Sequence, residues 1–141
     1  MKYVLDSSVA FKCVVPETDS DKAIRLRDDA RAAVHELLAP DIFPAEIAHA
    51  LTRAGRQARV VPAQARTLWR SVMTDNPTLV PALPFMERAI DIATLARIGV
   101  YDCLYVAAAE NEGCVFITAD DKLVRNLKSR YPCIISLSSL P

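Results

Sequence analysis

The sequence is poor in glycine and histidine, with three glycines and two histidines among 141 residues. So few glycines, without a strict period, exclude a collagen-like or glycine-rich chain. No two of the four cysteines stand close enough to form a CxxC pair, and two histidines offer no zinc-ligand spacing. The cysteines each lie in an apolar context, which is typical of buried free thiols in a reducing cytosol. They are Cys13, Cys103, Cys114 and Cys133.

Long apolar runs are also missing. No run reaches the roughly 18 residues that a membrane span requires, and the N-terminal run Tyr3–Leu5 ends at Asp6, unlike a signal peptide. The content of 52% hydrophobic and 24% charged residues excludes a disordered tail. We therefore expect a soluble, cytoplasmic protein that binds no membrane and forms a single domain over residues 1–141.

The charges balance, with 17 Lys and Arg against 17 Asp and Glu, which excludes the global basic field of many nucleic-acid binders. The charges are unevenly distributed, however. Residues 47–74 carry five arginines and no acid, residues 75–121 carry eight acids and two bases, and residues 122–141 carry four bases and no acid. This pattern fits either a basic rim around an acidic pocket or ordinary solvated helix faces.

Short β-type runs alternate with segments of helical periodicity along the whole chain. The runs cover 2–5, 35–39, 79–83, 114–118 and 133–137, and the helical segments cover 8–14, 19–34, 44–55, 62–74, 84–98, 102–111 and 120–129. Such alternation predicts an α/β fold with a central, mostly parallel sheet of four to five strands, flanked by helices on both faces.

Four acids stand where this fold class places its sites, at the carboxyl ends of the strands. Asp6 follows the first strand, and Asp120 comes two residues after Thr118, the last residue of the fourth strand. Glu46 lies in the first turn of the helix after the second strand, and Asp102 opens the helix after Gly99. Because those helices begin at the same edge of the sheet, all four carboxylates can converge.

Each acid also has a simple structural interpretation. Asp102 and Asp120 suit helix N-caps, Glu46 suits a helix dipole, and Asp6 could cap the short helix that follows it. Against this, residues 103–109 are wholly apolar, which predicts a buried helix, and a buried carboxylate needs a partner. No Lys or Arg occurs between Arg97 and Lys122.

A divalent cation would supply that partner. Acids without histidine or cysteine favour Mg²⁺ or Mn²⁺ over Zn²⁺. Ser8 and Thr118, each two residues from an acid of the set, could orient the carboxylates, or could simply be turn residues.

At this point four segments resemble a known family. YVLDSSV (3–9), FPAEIAHAL (43–51), YDCLYVAAA (101–109) and FITADDKL (116–123) resemble the four acidic motifs of PIN-domain nucleases. Their order and spacing resemble the VapC-type toxins of type II toxin–antitoxin systems, over essentially the whole chain.

The resemblance implies a PIN-like three-layer α/β/α fold and an endoribonuclease that depends on Mg²⁺ or Mn²⁺. It implies that Asp6, Glu46 and Asp102 bind metal, that Asp120 is the fourth acid, and that Ser8 and Thr118 support them. In this interpretation Asp121 is a helix-start or surface acid. Water would attack the phosphorus in line, so the RNA products would carry 5′-phosphate and 3′-hydroxyl ends.

The same family is usually homodimeric and is inhibited by a cognate antitoxin, which would lie across the apolar region from Leu51 to Trp69. The alternative for Trp69 is core packing, which is the more common place for a tryptophan. From charge position alone, two basic sets could steer the RNA backbone. They are Arg53, Arg56, Arg59 and Arg66, or Lys122, Arg125, Lys128 and Arg130.

Other functions fit less well. An aspartyl phosphatase requires Asp-x-Asp after the first strand, where this chain has Asp6-Ser7-Ser8. A response-regulator receiver requires paired acids after the first strand and a lysine after the last strand. No lysine follows the last predicted strand, 133–137, in this chain. A non-catalytic PIN-like binding module and a PIN nuclease for RNA processing rather than toxicity both stay open.

Overall fold

The computed structural model describes all 141 residues and has a five-stranded sheet at its centre. The strands are β1 (Lys2–Leu5), β2 (Glu36–Pro40), β3 (Thr78–Val80), β4 (Val115–Thr118) and β5 (Ile134–Ser136). Every neighbouring pair is parallel, in the order β3-β2-β1-β4-β5. The predicted α/β fold is confirmed, and the sheet has the larger of the two strand numbers expected.

Seven α-helices connect and flank the strands. They are α1 (Ser7–Lys12), α2 (Ser20–Arg31), α3 (Phe43–Arg56), α4 (Ala65–Thr74), α5 (Met86–Ala96), α6 (Val100–Glu112) and α7 (Asp121–Leu127). Short 3₁₀ turns occur at Pro62–Gln64, Leu83–Phe85 and Leu137–Ser139. The first two form the beginnings of the helices expected at 62–74 and 84–98. Proline fits these first turns because a helix N-terminus has no partner for its N–H.

The site lies at the edge of the sheet where β1 and β4 end. Leu5 pairs in register with Ile117, and the Asp6 amide donates to the Ile117 carbonyl at 3.0 Å. Asp6 and Thr118 are therefore neighbours at the carboxyl ends of adjacent parallel strands. Both strands are mostly apolar and neither has an exposed residue, as is usual where helices cover both faces of a parallel sheet.

Helix α6 is the central helix of the core. Its residues Cys103–Ala109 are all buried, and it packs on β1, β2 and β4 with α5 beside it. Helix α1 contacts α2, α3 and β4. This packing brings the first turns of α3 and α6 to the edge where β1 and β4 end. No single helix is long and apolar enough to cross a membrane, and two helical segments, Leu83–Ala96 and Val100–Glu112, pass that test only together, across a 119° bend.

Candidate active site

Asp6 is the centre of a hydrogen-bond network at this edge of the sheet. Its side chain is buried, and its Oδ2 accepts from Thr118 Oγ1 at 2.6 Å and from Ser8 Oγ at 2.9 Å. Ser7 Oγ lies 3.4 Å from Oδ1. Burial raises the pKa of Asp6, the hydrogen bonds from Thr118 and Ser8 lower it, and the charge of Asp120 raises it further.

The two hydroxyls that hold Asp6 also order the loop after β4. Ser8 Oγ accepts from the Ala119 amide at 3.1 Å, and Thr118 Oγ1 accepts from the Asp120 amide at 3.1 Å. Since each hydroxyl has one proton, accepting from the loop directs that proton toward Asp6. Ser8 and Thr118 thus lie where supporting hydroxyls were expected and couple Asp6 to the backbone of Asp120.

Asp120 is exposed and caps α7, since its Oδ1 accepts from the Leu123 amide at 3.1 Å. The capping interpretation of this acid is therefore correct, and it leaves the second carboxylate oxygen available. Asp121, the first residue of α7, instead accepts from the Ser136 hydroxyl. It belongs to a separate surface cluster, as the sequence indicated.

Glu46 approaches from the first turn of α3 and is half-buried. Its Oε1 accepts a hydrogen bond of 2.5 Å from the hydroxyl of Tyr105 on α6. Burial raises the pKa of Glu46 to about 7; the Tyr105 hydrogen bond opposes this, and the charges of Asp6 and Asp102 add to it. Burial also raises the pKa of the Tyr105 phenol, which therefore remains the proton donor of this pair.

Asp102 is the third residue of α6 and not its N-cap, because the helix begins at Val100 with Gly99 at the capping position. The expectation that Asp102 opens this helix was therefore wrong by two residues. The glycine has no side chain to cap with, and the helix begins earlier because Val100 packs against the core. Burial raises the pKa of Asp102 to about 6, with further contributions from Asp6 and Asp120.

The four carboxylates therefore repel one another, and no basic side chain offsets this repulsion. None of the ion pairs in the molecule includes any of them. As the side chains stand, no three acidic, histidine or cysteine side chains are arranged to enclose a metal ion. Mg²⁺ takes one or two carboxylates and keeps several waters, so it does not require three enclosing side chains. An oxygen-only set of unpaired, mutually destabilised carboxylates fits such a cation.

A cleft of about 440 Å³ opens beside these acids, between α1, α3 and the loop after β4. It is lined by polar and basic side chains that include Ser7, Ser8, Lys12, His49, Arg53 and Asp120. Arg59 also reaches it, but its guanidinium is bound to Glu17 at 2.9 Å and lies 5.7 Å from the Phe11 ring centroid. The cleft joins one basic wall to the acidic cluster.

The other proposed RNA contacts lie elsewhere on the surface. Arg56 is exposed on α3 but does not line the cleft, and Lys122 and Arg125 are exposed on α7, also outside it. The structure thus brings Arg53 and Arg59, among the basic residues named from the sequence, to the wall beside the acids.

Sequence reasoning missed four residues of this region: Ser7, Lys12, His49 and Tyr105. Tyr105 stands three residues after Asp102, and His49 three residues after Glu46. In a helix this spacing places a residue on the face of its acid. Helical spacing could have found both, whereas Lys12 reaches the cleft through tertiary packing.

A second, more apolar groove of about 640 Å³ is lined by residues of α3, of α4 and of the turn between them, among them Leu51, Pro62 and Trp69. Trp69 is half-buried and packs against the core, and its indole N–H donates to the Pro44 carbonyl at 3.0 Å. Trp69 therefore fits both interpretations given above, core packing and an apolar binding surface. It stabilises the contact of α3 with α4, and it also lines the groove.

Known proteins with similar sequences are ribonucleases by name. The chain is 27% identical over 132 residues to the VapC ribonuclease Mb0985 of Mycobacterium bovis. The aligned region covers 94% of this chain and 96% of the relative. The identity and coverage are the same for ribonuclease VapC9 of Mycobacterium tuberculosis.

Two solved structures share the fold. PAE2754 from Pyrobaculum aerophilum superposes with a TM-score of 0.69 at 23% identity, covering 99% of this chain and 94% of that one. VapBC2 from Rickettsia felis, in a structure bound to a DNA fragment from their promoter, gives 0.64 at 14% identity, covering 96% and 97%. The family model of the PIN domain matches residues 3–127, a span that contains all four acids. The chain therefore belongs to the PIN domain family.

Proposed function

We propose that this protein is an endoribonuclease that depends on Mg²⁺ or Mn²⁺ and hydrolyses RNA phosphodiester bonds. The observation that carries the proposal is the group of four acids without a basic partner, gathered around Asp6 at the carboxyl edge of the sheet. Relatives named as ribonucleases, matched over nearly their full length, support the choice of RNA as substrate.

Asp6, Glu46 and Asp102 are the residues that would hold the cation, with Asp120 as the fourth acid. When bound, the cation would neutralise phosphate charge and favour the ionisation of water. The chain itself supplies the orientation of that site: Ser8 and Thr118 hold Asp6, and Tyr105 holds Glu46. These two carboxylates thereby keep a defined position before substrate binds, which lowers the cost of organising the reacting groups.

The RNA backbone would enter along the cleft beside the acids. Arg53 lines it together with Asp120, and the ammonium of Lys12 lies beside them, paired with Glu17 at 3.5 Å. A phosphate chain lying there would be neutralised on one side and would meet the carboxylates at its end. Arg59 would add to this wall, and Arg56, Lys122 and Arg125 would act at longer range. Attack by water rather than by the ribose 2′-hydroxyl would leave 5′-phosphate and 3′-hydroxyl ends.

The biological role we propose is that of the toxin of a type II toxin–antitoxin pair, restrained by a cognate antitoxin and acting as a homodimer. The VapC relatives and the VapBC2 structure support this role. The apolar groove at Leu51 and Trp69 offers a surface for an antitoxin segment. Four free cysteines fit a cytoplasmic location, where thiols stay reduced.

Cleavage assays with purified protein test the activity. Wild type, Asp102→Asn and the control Asp91→Asn would each be incubated with a panel of tRNA and rRNA, with Mg²⁺, with Mn²⁺ or with excess chelator. Asp91 is an exposed acid on α5, outside the acidic cluster.

We expect wild type and the Asp91 variant to cut only with metal, and the Asp102 variant to be inactive. Equal cutting by all three proteins would mean a contaminating nuclease. No cutting by folded, antitoxin-free wild type would favour a non-catalytic PIN-like binding protein.

A further inference from the structure

Tyr105 makes a contact that core packing alone does not require. It is the largest fully buried side chain of the molecule, on the helix that carries Asp102. The rest of the buried stretch Cys103–Ala109 has no hydroxyl. Here the hydroxyl reaches across to α3 and donates to Glu46 Oε1 at 2.5 Å, joining residues 59 positions apart in the chain.

The ring of Tyr105 is itself immobilised. It stacks against Phe116 of β4 with centroids 5.5 Å apart and planes inclined by 21°. Phe116 lies two residues before Thr118, whose hydroxyl holds Asp6. The hydroxyl of Tyr105 is therefore a fixed donor, because its ring is held by the same strand that ends at the site.

The consequence for Glu46 is that its two oxygens are no longer equivalent. Oε1 is engaged by Tyr105, so Oε2 is the oxygen that the phenol leaves available. A carboxylate that can offer a single oxygen suits Mg²⁺, which accepts few protein ligands at near-ideal octahedral geometry. A freely rotating carboxylate can offer both oxygens, which suits Ca²⁺.

We propose that Tyr105 is a positioning residue that acts through Glu46, restricting it to one available oxygen and so favouring a small octahedral cation over Ca²⁺. This inference rests on the proposed function, since it takes the acidic cluster to be the cation site. It concerns cation selection, which core packing by the Tyr105 ring would not affect.

Binding of Mg²⁺ and of Ca²⁺ to RNA-free protein, measured by titration calorimetry, tests the proposal without an activity assay. Tyr105→Phe keeps the ring and removes only the hydroxyl. Tyr131→Phe is the matched control, because Tyr131 is a buried tyrosine whose ring lies near Arg88, outside the cluster. Thermal unfolding of each chelated variant checks that it folds.

We expect Tyr105→Phe to weaken Mg²⁺ binding about 10-fold or more, the usual effect of losing a group that orients a metal ligand. Ca²⁺ binding should be unchanged or tighter, so the ratio of the two affinities should fall. In a Glu46→Ala background the Tyr105 substitution should have no further effect, because the residue it acts through is gone.

Equal losses for both cations, or a full effect in the Glu46→Ala background, would reduce Tyr105 to a structural residue. Unchanged affinities would overturn the proposal while leaving the nuclease function intact. Wild-type protein that binds neither cation would overturn both.

Discussion

Thr118 Oγ1 and Asp6 Oδ2 lie 2.6 Å apart, at the ends of two adjacent parallel strands that are separated by more than a hundred residues in sequence. Together with the bond from the Ala119 amide to Ser8, this hydrogen bond links the first strand to the loop that carries Asp120. It holds a buried carboxylate in one orientation and favours its charged form.

Loss of the Thr118 hydroxyl should impair the site without unfolding it. Thr118→Val keeps the shape of the side chain and removes the donor, so we expect RNA cleavage to fall about 10–100-fold. Because the Thr118 hydrogen bond lowers the pKa of Asp6, the acidic limb of the pH–rate profile should move to higher pH. Thr118→Ser should restore most of the rate, and Thr94→Val, at an exposed position on α5, should have no effect. A Thr118→Val enzyme with a wild-type profile would contradict this role.

The stability of the metal-free protein should fall as the pH rises. The pKa values of Glu46 and Asp102 are raised to about 7 and about 6, from ordinary values of 4.5 and 3.8. A raised pKa means that the folded chain binds these protons more tightly than the unfolded chain. The stabilisation is then complete below about pH 4 and is lost as the pH rises through both folded values.

In thermal unfolding with chelator we therefore expect a lower Tm at pH 8 than at pH 5. Glu46→Gln should raise the Tm at pH 8 by about 3–6 °C, because a neutral amide removes a partly buried like charge. Asp91→Asn, at an exposed acid of α5, is the control and should change little. Added Mg²⁺ should raise the Tm of the wild-type protein at pH 8, because the cation offsets the repulsion between the acids. A Glu46→Gln protein less stable than wild type at that pH would show that the acids do not repel one another.

Arg53 and Arg56 offer a matched test of the RNA path, because both are exposed on α3 but only Arg53 lines the cleft. The affinity of catalytically silent Asp102→Asn protein for RNA would be measured as a function of salt concentration. We expect Arg53→Ala to reduce the slope of log K against log salt by about 1, and Arg56→Ala to reduce it less. If Lys122→Ala or Arg125→Ala lowers the slope and Arg53→Ala does not, the backbone runs over α7 instead.

The chemistry of attack can be read from the products. Replacing the ribose at the cleaved position by 2′-deoxyribose should leave cleavage in place, since water and not the 2′-hydroxyl is the expected nucleophile. The ends should be 5′-phosphate and 3′-hydroxyl, detected by phosphatase and ligase treatment of the fragments. A nuclease that uses the 2′-hydroxyl serves as the control and should fail on the same substrate. Cyclic phosphate ends would exclude the proposed route.

The linear pattern of residues was sufficient for the architecture. Apolar β-branched runs such as 115–118 and the proline positions before α4 and α5 are local signals, and they indicate which segments form strands and helices. The alternation of strands and helices then implies a parallel sheet, whose carboxyl edge collects Asp6 and Asp120. These conclusions needed no knowledge of how distant side chains meet.

Other features were decided only by the tertiary structure. The start of α6 at Val100 instead of Asp102 follows from packing against the core, which overrides a capping preference. The bond from Tyr105 to Glu46 and the separation of Arg53 from Arg56 depend on how α3 lies against α6 and α1. The sequence by itself determined which acids stand at the strand ends. The packing of helices distant in sequence decided that Tyr105 holds Glu46, because a contact between α6 and α3 carries no periodic signal along the chain.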